Sequence, residues 1–500
     1  MLTSAKVRIV FAAMLAFGLL LTAALSGCSG LAVGDRPAQT PPAPDGEYDP
    51  AVWGEQYPEV YATWLATAEP RPADKSKYKR GFDGAQMYDK LSEYPFMPLL
   101  FKGWGFGIDY QEPRGHHYMI IDQNEADPSR VKSGGACLTC KSPYAEDLNT
   151  EDKEAFFGAT YDEALGMLPE EHRKLGASCI DCHDNETMEL STRRWTVDAA
   201  LTEIGLEPDD LSTQQQRLMV CGQCHCTYSV MKEEGVALDV DFPWEGSEWG
   251  AITVENVIDR LLEDPARTEW TQEVTDLELA FIRHPDVEFY SAGSPHMKVG
   301  MACNDCHMPD IRVNNETISD HNVMSPLKTD MTTCKRCHYD SAEELKAKVL
   351  AVQDANAAML INAGYQTATA AKLIEMTNES IDPSAVDIKP TYDEALAHYK
   401  QAFYRVVWMG AENSLGFHNP AEGQRILKDA QAEADAATQL LRDLLTDSGV
   451  EVPAEVPLEL DKYLEGRGEH EKGFIQTHYL GDPSGQALKS WPLSLGALLQ

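Results

Sequence analysis

The chain has 500 residues, with 42 Lys and Arg against 80 Asp and Glu, a formal charge of −38, 12 Cys and 14 His. Hydrophobic residues make up 43% of it, enough to bury a core, which excludes disordered, collagen-like and low-complexity classes. The acid excess would repel phosphates and excludes a broad nucleic-acid-binding face, and the length predicts two or more lobes around a shared interior.

Residues 1–28 hold no acid. Lys6 and Arg8 precede an apolar run from Ile9 to Leu25, followed by Ser26-Gly27-Cys28. A basic start, an apolar stretch and small residues describe an export signal. Small residues directly before Cys28 describe a lipobox, in which Cys28 is diacylated and becomes the new N-terminus; a plain cleaved signal or an uncleaved anchor helix is the alternative. Two acyl chains attach a protein to a membrane without spanning it. The expectation is an exported, lipid-anchored protein on a periplasmic or extracytoplasmic face. Residues 29–50, with Gly30, Gly34, Pro37, Pro41, Pro42 and Pro44, read as a flexible tether.

Residues 51–340 read as short segments between five Cys pairs. In chain order these are Cys137-Leu-Thr-Cys140-Lys141, Cys179-Ile-Asp-Cys182-His183, Cys221-Gly-Gln-Cys224-His225, Cys303-Asn-Asp-Cys306-His307 and Cys334-Lys-Arg-Cys337-His338. C-x-x-C-H attaches c-type haem: the two thiols add to vinyl groups and the adjacent His reaches the iron. Zinc also uses C-x-x-C pairs, but it does not need a His directly after each second Cys. The first pair has Lys in place of His. Alone it could be a disulfide or redox pair. Beside four haem motifs it reads as a fifth haem with an amine ligand, since a buried lysine loses its proton readily.

Four further imidazoles are needed if the other four haems are six-coordinate. Candidates are His116 or His117 in Pro113-Arg114-Gly115-His116, His296, His321 and His418, with His284 left unligated. His172, His398, His470 and His478 stand in charged or helical surroundings and read as ordinary. The Lys141 haem is then the one with an open position. Cys226, directly after the third haem motif, reads as a buried thiol.

Residues 341–500 read differently. Ser341 to Asn378 contains no Pro and predicts a long helix, Thr391 to Leu415 predicts a second, and Asn419-Pro420 predicts an N-cap with Pro at the first helical position. The third helix carries Ile426, Ala430, Ala434, Ala437, Leu441 and Leu444 at helical spacing and stops near Gly449. That stripe permits close packing, within one chain or between two. The fold class expected is mainly α, a multihaem cytochrome c with a haem-packed core and long C-terminal helices.

The order of motifs, one C-x-x-C-K followed by four C-x-x-C-H, resembles the pentahaem, ammonia-forming cytochrome c nitrite reductases. The resemblance also rests on Glu112-Pro113-Arg114-Gly115-His116, Ser142-Pro143, Arg283-His284-Pro285, Asp320-His321 and His418-Asn419-Pro420. It implies five covalently bound c-type haems and reduction of nitrite to ammonium at the Lys141 haem. It implies that Arg130 (with Lys132 as the other candidate), Tyr228 and His284 line the open face, bind the anion and deliver protons. Calcium-binding members carry Glu before the tyrosine and Lys-x-Gln before the histidine, where this chain has Thr227, Phe281 and Arg283. Oxygen ligands are what calcium requires, so the resemblance is to the calcium-free branch, with Arg283 in the cation site. It further implies a homodimer through the long helices and a membrane-bound multihaem quinol dehydrogenase as electron donor. A conduit without its own substrate, or a related reductase of hydroxylamine or sulfite, is the alternative.

Overall fold

The computed structural model describes residues 47–69, 78, 88–131 and 133–464. Cys28 with its signal, most of the tether, Lys132, His470 and His478 lie outside the described residues. The fold is mainly α, as expected. Its strands form four two-stranded antiparallel sheets among the described residues, and no described helix is long and apolar enough to cross a membrane.

Three long helices follow the Cys motifs: Ala342–Ser380, Lys389–Ala411 and Pro420–Asp447. The first starts at a capping box, in which the Ser341 side chain accepts from the Glu344 amide and Glu344 accepts in return from Ser341. The second and third carry Pro in the first turn, where its missing N–H costs nothing. Asn419 occupies the expected N-cap position, but its side chain does not cap. Its amide donates instead to the carbonyls of Phe289 (3.1 Å) and Ala292 (3.0 Å), tying the helix start to the haem-motif region.

The stripe of the third helix is interior to the chain itself. Ile426, Ala430, Ala434, Ala437 and Leu441 are all fully buried where this helix packs on the first two. Small side chains let three backbones approach closely, so the stripe serves the intramolecular bundle. The bundle shares one hydrophobic cluster with the region before it, through residues such as Phe96, Phe101 and Phe281. Gly364 shows how tight that join is: a Cβ there would meet the Phe96 ring at 2.3 Å.

Each Cys motif forms a single helical turn. His183 N donates to Cys179 O (3.0 Å), His225 N to Cys221 O (2.9 Å) and His338 N to Cys334 O (2.9 Å), while Cys303–His307 is one short helix. One turn places residues three and four apart on the same side, so the turn presents both thiols and the imidazole together. The Lys141 amide closes a similar turn onto Leu138 O at 2.9 Å.

Candidate haem and substrate site

Histidines far apart in sequence meet in pairs. Ring centroids of His183 and His321 are 6.2 Å apart, those of His307 and His418 6.1 Å, and those of His296 and His338 6.3 Å. Two imidazoles on opposite sides of one metal, each bonded at about 2.0–2.1 Å, put their centroids about 6.3 Å apart. All three pairs fit an iron held between them. Of the two candidates after Gly115, His116 is the one within the electrostatic reach of His225 and Lys141, and burial first, then His225, pushes it down to about 4, which keeps it neutral as a ligand must be. His117 stands edge-on to Tyr118 instead.

The second ring nitrogens of these histidines also lie close to acceptor oxygens. Nδ1 of His183 lies 3.0 Å from Met188 O, that of His307 3.1 Å from Met324 O, and that of His321 2.8 Å from Ser319 O. Nδ1 of His225 lies 3.1 Å from Asp286 Oδ2, and that of His418 3.1 Å from Glu412 Oε1. Such contacts fix the tautomer and leave Nε2 for a metal. By contrast, His172 is bonded to the Tyr144 hydroxyl and His398 to Glu433, as suits ordinary histidines.

The turn holding Lys141 faces a second group of side chains. Tyr228 and His284 are within electrostatic reach of it: His284 is held down by burial and then by the Lys141 charge, and Tyr228 is pushed up by burial. Burial thus favours the neutral imidazole at His284 and the O–H form at Tyr228. His284 is held at φ 45°, a left-handed conformation unusual for a residue with a side chain. Its Nδ1 is buried with no hydrogen-bond partner among the described residues. Strained, unsatisfied groups of this kind gather at working sites.

Two arginines supply the permanent positive charge. Arg130 lies 4.2 Å over the Phe106 ring, with only a 3.8 Å approach to Asp109, and its buried Nε has no hydrogen-bond partner. Arg283 is deeply buried. It forks onto Glu269, donating from Nη1 to Oε1 at 2.6 Å and from Nη2 to Oε2, and its guanidinium lies 4.9 Å from the Tyr228 ring centroid. Its own amide donates to the Thr227 hydroxyl at 3.3 Å. A surface ion pair is thus excluded for Arg283. Cys226 is fully buried, as the sequence suggests.

Four functional side chains gave no signal in the sequence: Glu269, Asp286, Glu412 and Arg194. Arg194 clamps two motifs together, donating to Thr139 O (2.6 Å) and Ser142 O (2.9 Å) on either side of Lys141 and to Asp181 Oδ1 (2.7 Å) inside the next motif. It stands beside Arg193 in no motif that would single it out. The three acids are hidden among the chain's 80 Asp and Glu.

Single-turn C-x-x-C-H motifs with distant imidazoles opposite them define a multihaem c-type cytochrome. The cytochrome c552 family matches residues 49–490, and the chain belongs to that family. Membership implies covalently bound haem. A cytochrome c-552 of Bacteroides fragilis is 31% identical over 423 residues, covering 81% of this chain and 79% of that protein. One from Porphyromonas gingivalis is 28% identical over 453 residues, covering 84% and 83%. The solved cytochrome c nitrite reductase of Desulfovibrio desulfuricans, described for two calcium sites in its catalytic subunit, has the same fold. Its TM-score is 0.73 at 23% identity, over 88% of this chain and 95% of that one.

Proposed function

We propose that this protein reduces nitrite to ammonium at a c-type haem ligated by Lys141, with four bis-His haems relaying electrons. The single observation that carries the reading is the approach of Tyr228 and His284 to the Lys141 turn, backed by the Arg283–Glu269 fork and by Arg130, which shares the Phe106 ring with Arg283. Lys141, His183, His225, His307 and His338 would hold five irons from the motif side, with His321, His116, His418 and His296 opposite the last four in that order. The haems supply an open coordination position at Lys141 and a store of electrons, which a six-electron reduction requires.

The chain's own residues do the rest. Arg130 binds the anion and holds negative charge on its oxygens, in a site where low dielectric strengthens the contact. Two oxygens leave as water, so protons must be delivered repeatedly. Tyr228, with its O–H kept by burial, and His284, after taking up a proton on its unpartnered ring nitrogen, would pass them on. Arg283 fixes a positive charge beside Tyr228 in the position that calcium takes in other branches, and no calcium is required. The Arg194 clamp holds the Lys141 turn in register with its neighbour.

Around this centre we place the lipid anchor at Cys28, a homodimer through outer faces of the long helices, and a membrane-bound multihaem quinol dehydrogenase as donor. His284→Asn tests the centre: it should keep all five haems and lose about 10²–10⁴-fold in nitrite turnover. Unchanged turnover in a fully loaded variant would contradict the assignment.

A further inference from the structure

The hydrogen bonds to the paired imidazoles are of two kinds. His183, His321 and His307 meet backbone carbonyls, which are neutral. His225 hydrogen-bonds to the Asp286 carboxylate, while His418 Nδ1 lies 3.1 Å from Glu412 Oε1 as an ion pair without hydrogen-bond alignment; the two acids are neighbours in space, since Asp286, Glu412 and His418 bring their ligand atoms within 4.8 Å of one another. The acids are built into the backbone. Asp286 Oδ1 accepts from the Asn413 amide (2.9 Å) and Oδ2 from the Asn413 side chain (2.6 Å). Glu412 Oε1 accepts from the Ser414 amide (2.8 Å) and Oε2 from the Gly416 amide (2.9 Å). Each oxygen already has an N–H, so the cluster is not an open cation site. The donors fix both acids in the interior, and the hydrogen bond to His225 and those from Asn413 outweigh burial and hold Asp286 well below the usual carboxylate range.

An imidazole that donates to a carboxylate is a more basic metal ligand than one that donates to a carbonyl, and a more basic ligand favours the oxidised iron. We propose that Asp286 and Glu412 are potential-setting residues, which lower the reduction potentials of the haems at His225 and at His307–His418. The inference rests on the axial-ligand reading above. It adds a division of the relay: the haem at His183–His321, with carbonyl partners on both sides, lacks this device. Asp286 has a further position of note. Its amide donates to His284 O at 2.6 Å, and the Val287 amide donates to His225 O at 3.0 Å. The segment that presents His284 to the substrate pocket is therefore pinned to the ligand of the neighbouring haem. Asp286 acts on the pocket through other residues and is a positioning residue, not a catalytic one.

The test is a redox titration of the purified, haem-loaded protein, followed by low-temperature electron paramagnetic resonance. Asp286→Asn keeps an acceptor and removes the charge; it should shift one low-spin component to more positive potential and leave the rest unmoved. Glu412→Gln should shift a different component in the same direction. If Asp286→Asn does not accumulate, Asn413→Ala is read instead. It strips the side-chain donor from Asp286 Oδ2 and leaves the backbone one, makes the carboxylate a stronger acceptor, and should move the same component to more negative potential. Unmoved potentials in the variants that load haem overturn the inference. A wild-type protein without bis-imidazole low-spin signals defeats the ligand reading itself, so the two failures are told apart.

Discussion

The three-helix bundle and the region of Cys turns solve the same problem with different materials. The bundle is stabilised by apolar contact along helical stripes, and residues such as Ala430, Ala434 and Leu441 have no exposed surface. The Cys region consists of short turns, clamped by Arg194, Asp286 and Gln223 and by the Arg283–Glu269 fork. In the bundle, volume and charge at a buried position decide stability. In the Cys region, polar partnerships decide it, and the same partnerships shape the chemistry.

Four substitutions sharpen that contrast. Ala434→Glu should be the most damaging, because it buries a charge with no partner between three helices. A loss of about 3–5 kcal/mol is expected from the cost of an uncompensated buried charge, read as a fall in the denaturation midpoint. Glu269→Gln leaves buried Arg283 one hydrogen bond to that side chain, the long one to Phe281 O, and no counter-charge. About 2–3 kcal/mol should be lost, together with nitrite turnover, whereas Ala434→Glu in any surviving folded fraction should leave turnover per haem unchanged.

Glu288 gives a pH dependence located at the join between the two regions. Burial pushes its carboxyl up to about 8, although it accepts from the Thr227 amide and Trp244 Nε1. The folded state therefore keeps a proton that the unfolded chain releases above its ordinary carboxyl range. Stability should fall as pH rises from about 4.5 to about 8, by at most about 1.4 kcal/mol per pH unit. Glu288→Gln should flatten that slope in denaturation curves taken across the window, and an unchanged slope would assign it to another group. Ser341→Ala, which removes the cap of the first long helix, should have the smallest effect, about 1 kcal/mol with no change in haem spectra.

The bundle was the more legible region in sequence. An unbroken run from Ser341, the Pro420 signal and the spacing of Ile426 to Leu444 give the helices within a few residues, because helical periodicity is a local property. The Cys turns were equally legible, since thiol chemistry fixes their spacing. The sequence left His116 and His117 as alternatives, and only the approach of His225 and Lys141 to His116 separates them. Arg283 was legible as a departure from calcium-binding relatives, but its partner was not. Glu269 lies 14 residues away on another segment, and no local pattern connects them. The same is true of Asp286 and Glu412, which contact His225 and His418 only through the tertiary fold. The direction of the third-helix stripe could not be read either, because a stripe of small residues looks the same whether it faces its own chain or a second copy.

The central claim is that the Lys141 pocket turns nitrite into ammonium. The most direct measurement is the yield of ammonium per nitrite consumed by the purified, haem-loaded protein, with a reduced viologen dye as donor. The account predicts one ammonium for each nitrite. A fully loaded protein that accepts electrons from the dye but leaves nitrite unconsumed, or releases a product other than ammonium, would contradict it.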